Sequence, residues 1–264
     1  MTHVHSVPVN TQPEPCETVG RRPAAALRPY VVGYSGFRSG SGAALPHRVL
    51  PLNLTVAIVD LTGEARVVTG PRATPAVFRE PVWRSGVTVG FTPLGVRALL
   101  GLPAPELVGR TVPLPDLLAG GDAELVDRLR ALPLWADRFA SLDAFLSRRL
   151  APVEADPLVT HAWWQLQVDR VRVGALAQRL AVSRRHLETG FRREIGVTPG
   201  TVGRIARFQH AVGLLARGSA PLHETAVDSG YADQPHFTRE IRAMSGLTPT
   251  ELCAFLQYRD PVRR

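Results

Sequence analysis

The fold is decided by residues 183–199, which read SRRHLETGFRREIGVTP and return fifty residues later, at 233–249, as DQPHFTREIRAMSGLTP. Both copies end in Gly-x-Thr-Pro, beginning at Gly196 and Gly246. Apolar residues recur at a spacing of four inside each copy, and this spacing predicts a helix with one buried face. Repetition at a fixed distance indicates that one supersecondary unit is used twice.

The likeness extends upstream, where Ala177 matches Ala226 at a spacing of forty-nine. Each unit therefore predicts a helix, a tight turn and a second helix, over residues 172–196 and 221–246. A long helix that starts at Thr198-Pro199 and ends before Gly218 is expected to join them. Two arginine-rich second helices on one body are typical of a protein that reads two consecutive stretches of a DNA groove.

The charge is uneven along the chain. The net charge is +8, and from Thr160 onward fifteen arginines face nine acidic residues. A basic excess in the half that holds the repeat is what a phosphate-binding domain requires, although a solvated basic face would look similar. The two cysteines, Cys16 and Cys253, predict neither a disulfide framework nor a metal cluster. With no long apolar run and no secretory signal, we expect a cytoplasmic protein that has no membrane contact.

The first part of the chain has a different pattern. Residues 1–25 are rich in proline and polar residues, and they predict a disordered tail. Short β-branched segments up to Phe91 predict strands, and amphipathic helices follow. We therefore expect an α+β domain over residues 26–155, β-rich and compatible with a cupin-like barrel with trailing helices, that serves effector sensing or dimerisation. An all-α DNA-binding domain would occupy residues 156–264.

These residues resemble the AraC/XylS family of bacterial transcription regulators over roughly 173–252. The marks are Leu176-Ala177, Val182-Ser183, Leu187, Phe191, Gly196 and Pro199, then Ala226, Gly230-Tyr231, Phe237, Arg239, Gly246 and Pro249. The resemblance implies two helix-turn-helix subdomains, each with its second helix in the major groove. The family's DNA-contacting positions fall on Arg184, Arg185, Glu188, Thr189, Arg192, Gln234, His236, Thr238, Arg239 and Arg242.

Some residues depart from the family pattern. Gly190 lies in the middle of a helix, where glycine costs about 1 kcal/mol relative to alanine. Ile241 stands where phenylalanine is usual, and Thr225 and Ser229 make the first helix of the second unit less apolar. We expect these departures to weaken the stability of the second unit without changing its identity.

The earlier residues resemble, more loosely, the β-rich sensor domains of actinobacterial family members, through residues 89–95 and 99–101. Such domains bind small molecules or mediate dimerisation. The expected partners are therefore double-stranded DNA, RNA polymerase for an activator, an unidentified small-molecule effector and a second copy of the chain. The amphipathic segment 134–150 is the best candidate for a dimer surface. No cofactor is expected.

Two other functions compete with a regulator. A small metal-dependent β-barrel enzyme would need clustered ligands, but His47 is isolated and His3 and His5 lie in the predicted tail. The sequence also has no nucleophile elbow, phosphate-binding loop or dinucleotide fingerprint, so we do not expect an enzyme. An adaptor with a helix-turn-helix fold that no longer binds DNA can be distinguished only by its affinity for DNA.

Overall fold

The computed structural model describes residues 3–9, 16–40, 45–63, 65–118, 121–169, 171–218 and 220–257. It has a β-rich N-terminal region followed by a helical C-terminal region. This confirms the predicted combination of an α+β part and an all-α part.

The N-terminal strands form two antiparallel sheets. One has three strands in the order β1-β4-β7, and the other has six in the order β2-β3-β8-β5-β6-β9. The strands are β1 (Ser6–Pro8), β2 (Cys16–Arg21), β3 (Val31–Ser39), β4 (Leu45–Val49), β5 (Thr55–Asp60), β6 (Arg66–Thr69), β7 (Ala76–Trp83), β8 (Ser85–Phe91) and β9 (Thr111–Pro113). The cupin-like barrel stays a prediction, because this pairing order alone does not establish it.

The disordered tail predicted over residues 1–25 is wrong for two of its segments. β1 pairs with β4, and β2 pairs along β3 from Cys16 to Arg21. Val7 of β1 is fully buried. Short proline-rich segments have weak strand propensity, so the distant partner strand is what makes them extended. Residues 1, 2 and 10–15 lie outside the described residues.

Helices cover one face of the six-stranded sheet. They are α1 (Pro93–Gly95), which continues into a π-helical turn at Val96–Leu100, α2 (Leu114–Leu118), α3 (Asp122–Ala131) and α4 (Trp135–Arg149). Phe139, Leu142 and Leu146 of α4 belong to the same apolar core as Val87 and Val89 of β8. Most of the amphipathic stripe of segment 134–150 is therefore covered by the chain's own core, with Leu134 left exposed. The stripe is not available as the predicted dimer surface.

The C-terminal region contains seven described helices. They are α5 (Pro157–Val168), α6 (Val173–Arg179), α7 (Arg184–Glu194), α8 (Pro199–Arg217), α9 (Leu222–Asp228), α10 (Gln234–Ser245) and α11 (Pro249–Gln257). Several of them begin at a side-chain cap, including α8 at the predicted Thr198. The Asp156 side chain accepts hydrogen bonds from the Leu158 and Val159 amides, and Thr198 accepts one from the Thr201 amide.

The two regions pack against each other through continuous apolar clusters. One cluster joins Val56 and Trp83 of the sheets to Trp163 of α5. Another joins Val4 and Val7 to Phe208 of α8. Trp163 is thus an interior residue, in a cluster that includes N-terminal strands as well as neighbouring helices.

The described residues contain neither a helix suited to a membrane nor a cluster suited to a metal ion. None of their helices is both long and apolar enough to cross a membrane. Among the same residues, no group of three or more His, Cys, Asp or Glu side chains is placed to hold a metal ion.

Candidate nucleic-acid interface

The repeat in the sequence is a repeat in the backbone. Between α6 and α7, the Val182 amide donates to the Ala177 carbonyl over 3.0 Å. Between α9 and α10, the Tyr231 amide donates to the Ala226 carbonyl over the same 3.0 Å. These carbonyls belong to the alanines that match at a spacing of forty-nine, so both turns close in the same way.

The turns also share their unusual backbone angle and their caps. Ala181 has φ of 53° and Gly230, its counterpart, has φ of 77°. An alanine at positive φ is strained, so tertiary packing must hold the first turn in place. Ser183 and Asp233 then cap α7 and α10, and each side chain accepts a hydrogen bond from the amide three residues later.

The inward faces of α7 and α10 are the predicted ones. Their fully buried apolar residues are Leu187, Phe191, Ile195, Phe237, Ile241 and Met244. Ile241, a departure from the family pattern, thus fills a core position. This burial fixes which side of each helix faces solvent.

Thr225 and Ser229, the polar residues that depart from the family pattern, form hydrogen bonds within their own segment. The Thr225 hydroxyl donates to the Pro221 carbonyl over 3.1 Å, and the Ser229 hydroxyl donates to the Thr225 carbonyl over 2.6 Å. Both side chains are buried. A buried hydroxyl that bonds to a carbonyl four residues earlier avoids the cost of an unpaired polar group. The expected weakening of the second unit stays a prediction.

The ten predicted contact residues all lie on α7 and α10, on the sides that do not face the core. The exposed ones are Arg184, Arg185, Thr189, Arg192, Gln234, Arg239 and Arg242. Three are half-buried, namely Glu188, His236 and Thr238. The ring of His236 packs edge-to-face on Tyr231, with 5.4 Å between centroids. The structure therefore presents the predicted set on two related helices.

Arginines on these helices differ in whether they are neutralised. Arg193 pairs with Glu194 at 2.9 Å and with Asp156 at 3.0 Å. Within the described part of the chain, Arg185, Arg192 and Arg239 form no ion pair. Their charges face solvent without a protein partner, whereas the charge of the neighbouring Arg193 is balanced. This contrast could not be read from the sequence.

A second feature absent from the sequence predictions ties α8 to α10. Arg204 donates two hydrogen bonds to the Glu240 carboxylate, at 2.8 and 3.2 Å. The Arg207 guanidinium lies 5.5 Å from the Tyr231 ring centroid, over its face. These residues are distant in sequence and belong to different elements, so no local spacing signals them.

The pKa shifts follow from these contacts. The hydrogen bonds from Arg204 hold the pKa of Glu240 below its ordinary value. Burial raises the pKa of the Tyr231 hydroxyl to about 12. Both groups therefore keep one charge state near neutral pH, with Glu240 ionised and Tyr231 neutral.

The N-terminal region reaches the C-terminal end of α7. Arg97 pairs with Glu194, the last residue of that helix, at 3.3 Å. A Cβ atom at Gly196 would lie 2.7 Å from Val108, and this glycine also has φ of 86°. A small, solvent-open cleft lies beside this contact. Its lining includes Leu94, Arg97, Trp163, Trp164 and Ile195.

Comparison with known protein families agrees with this geometry. Residues 176–254 match a family described as "Helix-turn-helix domain". These residues form an AraC-type helix-turn-helix domain. The AraC-type domain covers both turns, α7, α8 and α10, and so includes all ten predicted contact residues. Domains of this type occur in DNA-binding transcription regulators.

Three solved structures are similar to parts or all of the chain. The C-terminal domain of AraT, a response regulator from Geobacillus stearothermophilus, is 22% identical, with coverage of 42% of this chain and 94% of that one and a TM-score of 0.39. A probable AraC family transcriptional regulator from Rhodopseudomonas palustris CGA009 is 24% identical, with coverage of 40% and 100% and a TM-score of 0.34.

ToxT from Vibrio cholerae O395 is 12% identical, with coverage of 98% of both chains and a TM-score of 0.45. All three TM-scores are below 0.5, so the assignment of an AraC-type domain is based on the family match of residues 176–254. No protein with a curated description matches the chain.

Proposed function

We propose that this protein is a sequence-specific transcription regulator that reads two adjacent major-groove segments of DNA with α7 and α10. In this proposal residues 156–264 form the DNA-binding domain, and residues 26–155 sense an effector or mediate dimerisation. Arg184, Arg185, Glu188, Thr189 and Arg192 would contact one segment. The second segment would be contacted by Gln234, His236, Thr238, Arg239 and Arg242.

The observation that carries the proposal is the set of unneutralised arginines on the outward sides of two repeated helices. Arg185 and Arg192 lie on α7 and Arg239 on α10, all exposed. Exposed arginines release counterions from DNA when they bind phosphates, and they can also read guanine edges in the major groove. A surface that served only for solubility would not need this arrangement twice.

The length of α8 suits the reading of two segments. Its nineteen residues from Pro199 to Arg217 span about 28 Å at about 1.5 Å per residue. Successive major-groove segments on one face of DNA lie about 34 Å apart. A helix of this length between the two units therefore has the right scale to place α7 and α10 in neighbouring segments.

Effector control is supported by the cleft beside Arg97 and Glu194. Its lining combines apolar and aromatic side chains with a few charged groups, as in sites for small molecules. An occupant would touch both Leu94 of the N-terminal region and Ile195 at the end of α7. Such an occupant could therefore change the position of α7 directly. RNA polymerase would be a partner if the protein activates transcription, and a homodimer would be the form that binds paired sites.

The deciding experiment is selection of bound duplexes from a random library by the full-length chain. We expect an enriched sequence with two conserved blocks, one for each helix. Binding to that duplex should weaken as salt rises, and each phosphate contact should contribute about −0.9 to the slope of log K against log salt. Recovery of no enriched sequence, together with no salt-dependent affinity, would favour the adaptor function.

A further inference from the structure

Residues 48–54 comprise the last two residues of β4 and the connection from β4 to β5; we name them the bridging segment. Val49 belongs to the apolar cluster that includes Leu187 of α7. Leu50, the next residue, belongs to the cluster that includes Phe237 of α10. Consecutive residues of one segment therefore enter the cores of different units.

Polar contacts of the bridging segment follow the same division. Arg48 Nη1 donates to the carbonyl of Ser245, the last residue of α10, over 3.2 Å. A Cβ atom at Gly246 would lie 2.6 Å from that nitrogen, so the guanidinium rests against the end of the helix. A cation at a helix C-terminus is stabilised by the helix dipole. This end of the segment is thus attached to the second unit.

The other end of the segment is attached to α5 and to the start of α8, which pack with the first unit. The buried Asn53 side chain donates to Gln167 Oε1 of α5 over 3.1 Å and to the Val202 carbonyl of α8 over 2.9 Å. Between the two ends, Gln209 of α8 donates to the Pro51 carbonyl over 2.7 Å. The segment therefore runs along α8, and hydrogen bonds hold it at both ends and at Pro51 in its middle.

The two units otherwise have separate apolar cores. Val202 near the start of α8 packs with the first unit, whereas Ile205 and Phe208 pack with the second. Within the described residues, α8 and the N-terminal strands are the elements that enter both clusters. Because the two units pack on different parts of α8, each can shift on that helix separately. A second connection between them therefore adds a constraint on how the units are oriented.

We propose that the bridging segment sets the relative position of α7 and α10, with Arg48 and Asn53 as positioning residues. It thereby determines the spacing between the two DNA blocks that the protein prefers. This inference rests on the proposed function, because spacing has a meaning only if both helices read DNA. One added base pair rotates the second block by about 35° around the DNA axis. A rigid pair of helices therefore discriminates strongly between spacings, and a loosened pair discriminates less.

The test uses the full-length chain and the duplex selected by the wild type, with its two blocks moved apart or together by one and two base pairs. Arg48→Met keeps the apolar stem of the side chain and removes the donor to Ser245, and Asn53→Ala removes the contacts to α5 and α8. We expect the preference for the selected spacing over a one-base-pair change to fall about tenfold in each variant. Arg48→Lys, which keeps a donor and a positive charge, should restore most of it.

Arg128→Ala is the matched control, because Arg128 is in the N-terminal region and pairs with Glu124 of its own helix. It should keep the wild-type spacing preference. If a variant does not fold, as judged by its unfolding transition, Leu50→Val gives the same readout with the loss of one buried methylene.

Two outcomes separate the inference from the proposed function. If the wild type selects a duplex but the variants lose affinity equally at every spacing, the segment serves stability alone and the inference is overturned. If the wild type selects no duplex, the proposed function fails and the inference fails with it.

Discussion

A Cβ atom at Gly190 would lie 2.7 Å from Cγ2 of Val159, so α7 and α5 approach each other at a point where only glycine fits. Val159 is β-branched and buried, and its side chain has little freedom to move away. The glycine that looks like a defect in a helix is therefore required by the packing of that helix.

We predict that Gly190→Ala destabilises the protein by about 1–2 kcal/mol, because the cost of overpacking exceeds the gain in helix propensity. The measurement is chemical unfolding of the full-length chain. Gly213→Ala is the matched control, since Gly213 also lies inside a helix but a Cβ there would meet nothing within 4 Å. That variant should be stabilised by about 0.5–1 kcal/mol.

Val159→Ala should make room for the new methyl group. In that background Gly190→Ala is expected to be neutral or stabilising, so the two substitutions couple. Additive losses would mean that the contact between α5 and α7 does not explain the glycine.

The local part of this structure could be predicted from sequence, and the long-range part could not. The start and end of α7 follow from Ser183 and from Gly196, because caps and left-handed glycines act within a turn of the helix. The strand β1 could not be predicted, because its extended geometry depends on pairing with β4, some forty residues away. The sequence predicts which arginines lie on the outward faces of the helices. It does not predict which of them form ion pairs, because Arg193 and Asp156 come together only in the folded chain.

No sequence motif indicates the contacts between the N-terminal and C-terminal regions. The hydrogen bond from Arg48 to Ser245 joins residues 197 positions apart, with no motif at either end. Segment 134–150 shows the opposite problem. Its apolar stripe is evident in the sequence, but periodicity reports that a face is buried and not what covers it.

Stability should depend on pH through Glu240. Its pKa is lowered in the folded state, mainly by hydrogen bonds from Arg204. Such a carboxylate stabilises the fold above its unfolded pKa, and this contribution is lost as the pH falls through the folded pKa. We predict that Glu240→Gln costs about 0.5–1 kcal/mol at pH 7, because the pair is partly exposed, and that the difference from wild type shrinks below about pH 4.

Unfolding measured from pH 7 to pH 3 checks this prediction. Glu106→Gln is the control, because Glu106 is exposed and has no ion pair among the described residues. A loss in Glu240→Gln that stays constant with pH would indicate altered packing of α10 and not a lost charge interaction.

Order in the N-terminal strand should depend on Gln209. Its side chain accepts from the Val4 amide over 3.0 Å and donates to the Val4 carbonyl over 3.1 Å, in a buried position. We predict that Gln209→Ala increases hydrogen exchange at residues 3–9, because the backbone of Val4 loses both partners. Gln165→Ala, which removes a side chain bonded to the exposed His161, should leave that exchange unchanged. Equal exchange in wild type and Gln209→Ala would show that β1 is held by its pairing with β4 alone.

Arg192 and Arg193 are neighbours on α7 that should behave oppositely toward DNA. Arg192 is exposed and has no ion pair in the described part of the chain, whereas Arg193 is held by Glu194 and Asp156. We predict that Arg192→Ala lowers the affinity for the selected duplex at 0.1 M salt and reduces the salt slope by about 1, as expected for one lost phosphate contact. Arg193→Ala removes the same formal charge and should leave the slope unchanged. Fluorescence anisotropy across a salt series measures both variants, and equal slopes for the two would mean that net charge, and not the position of Arg192, controls binding.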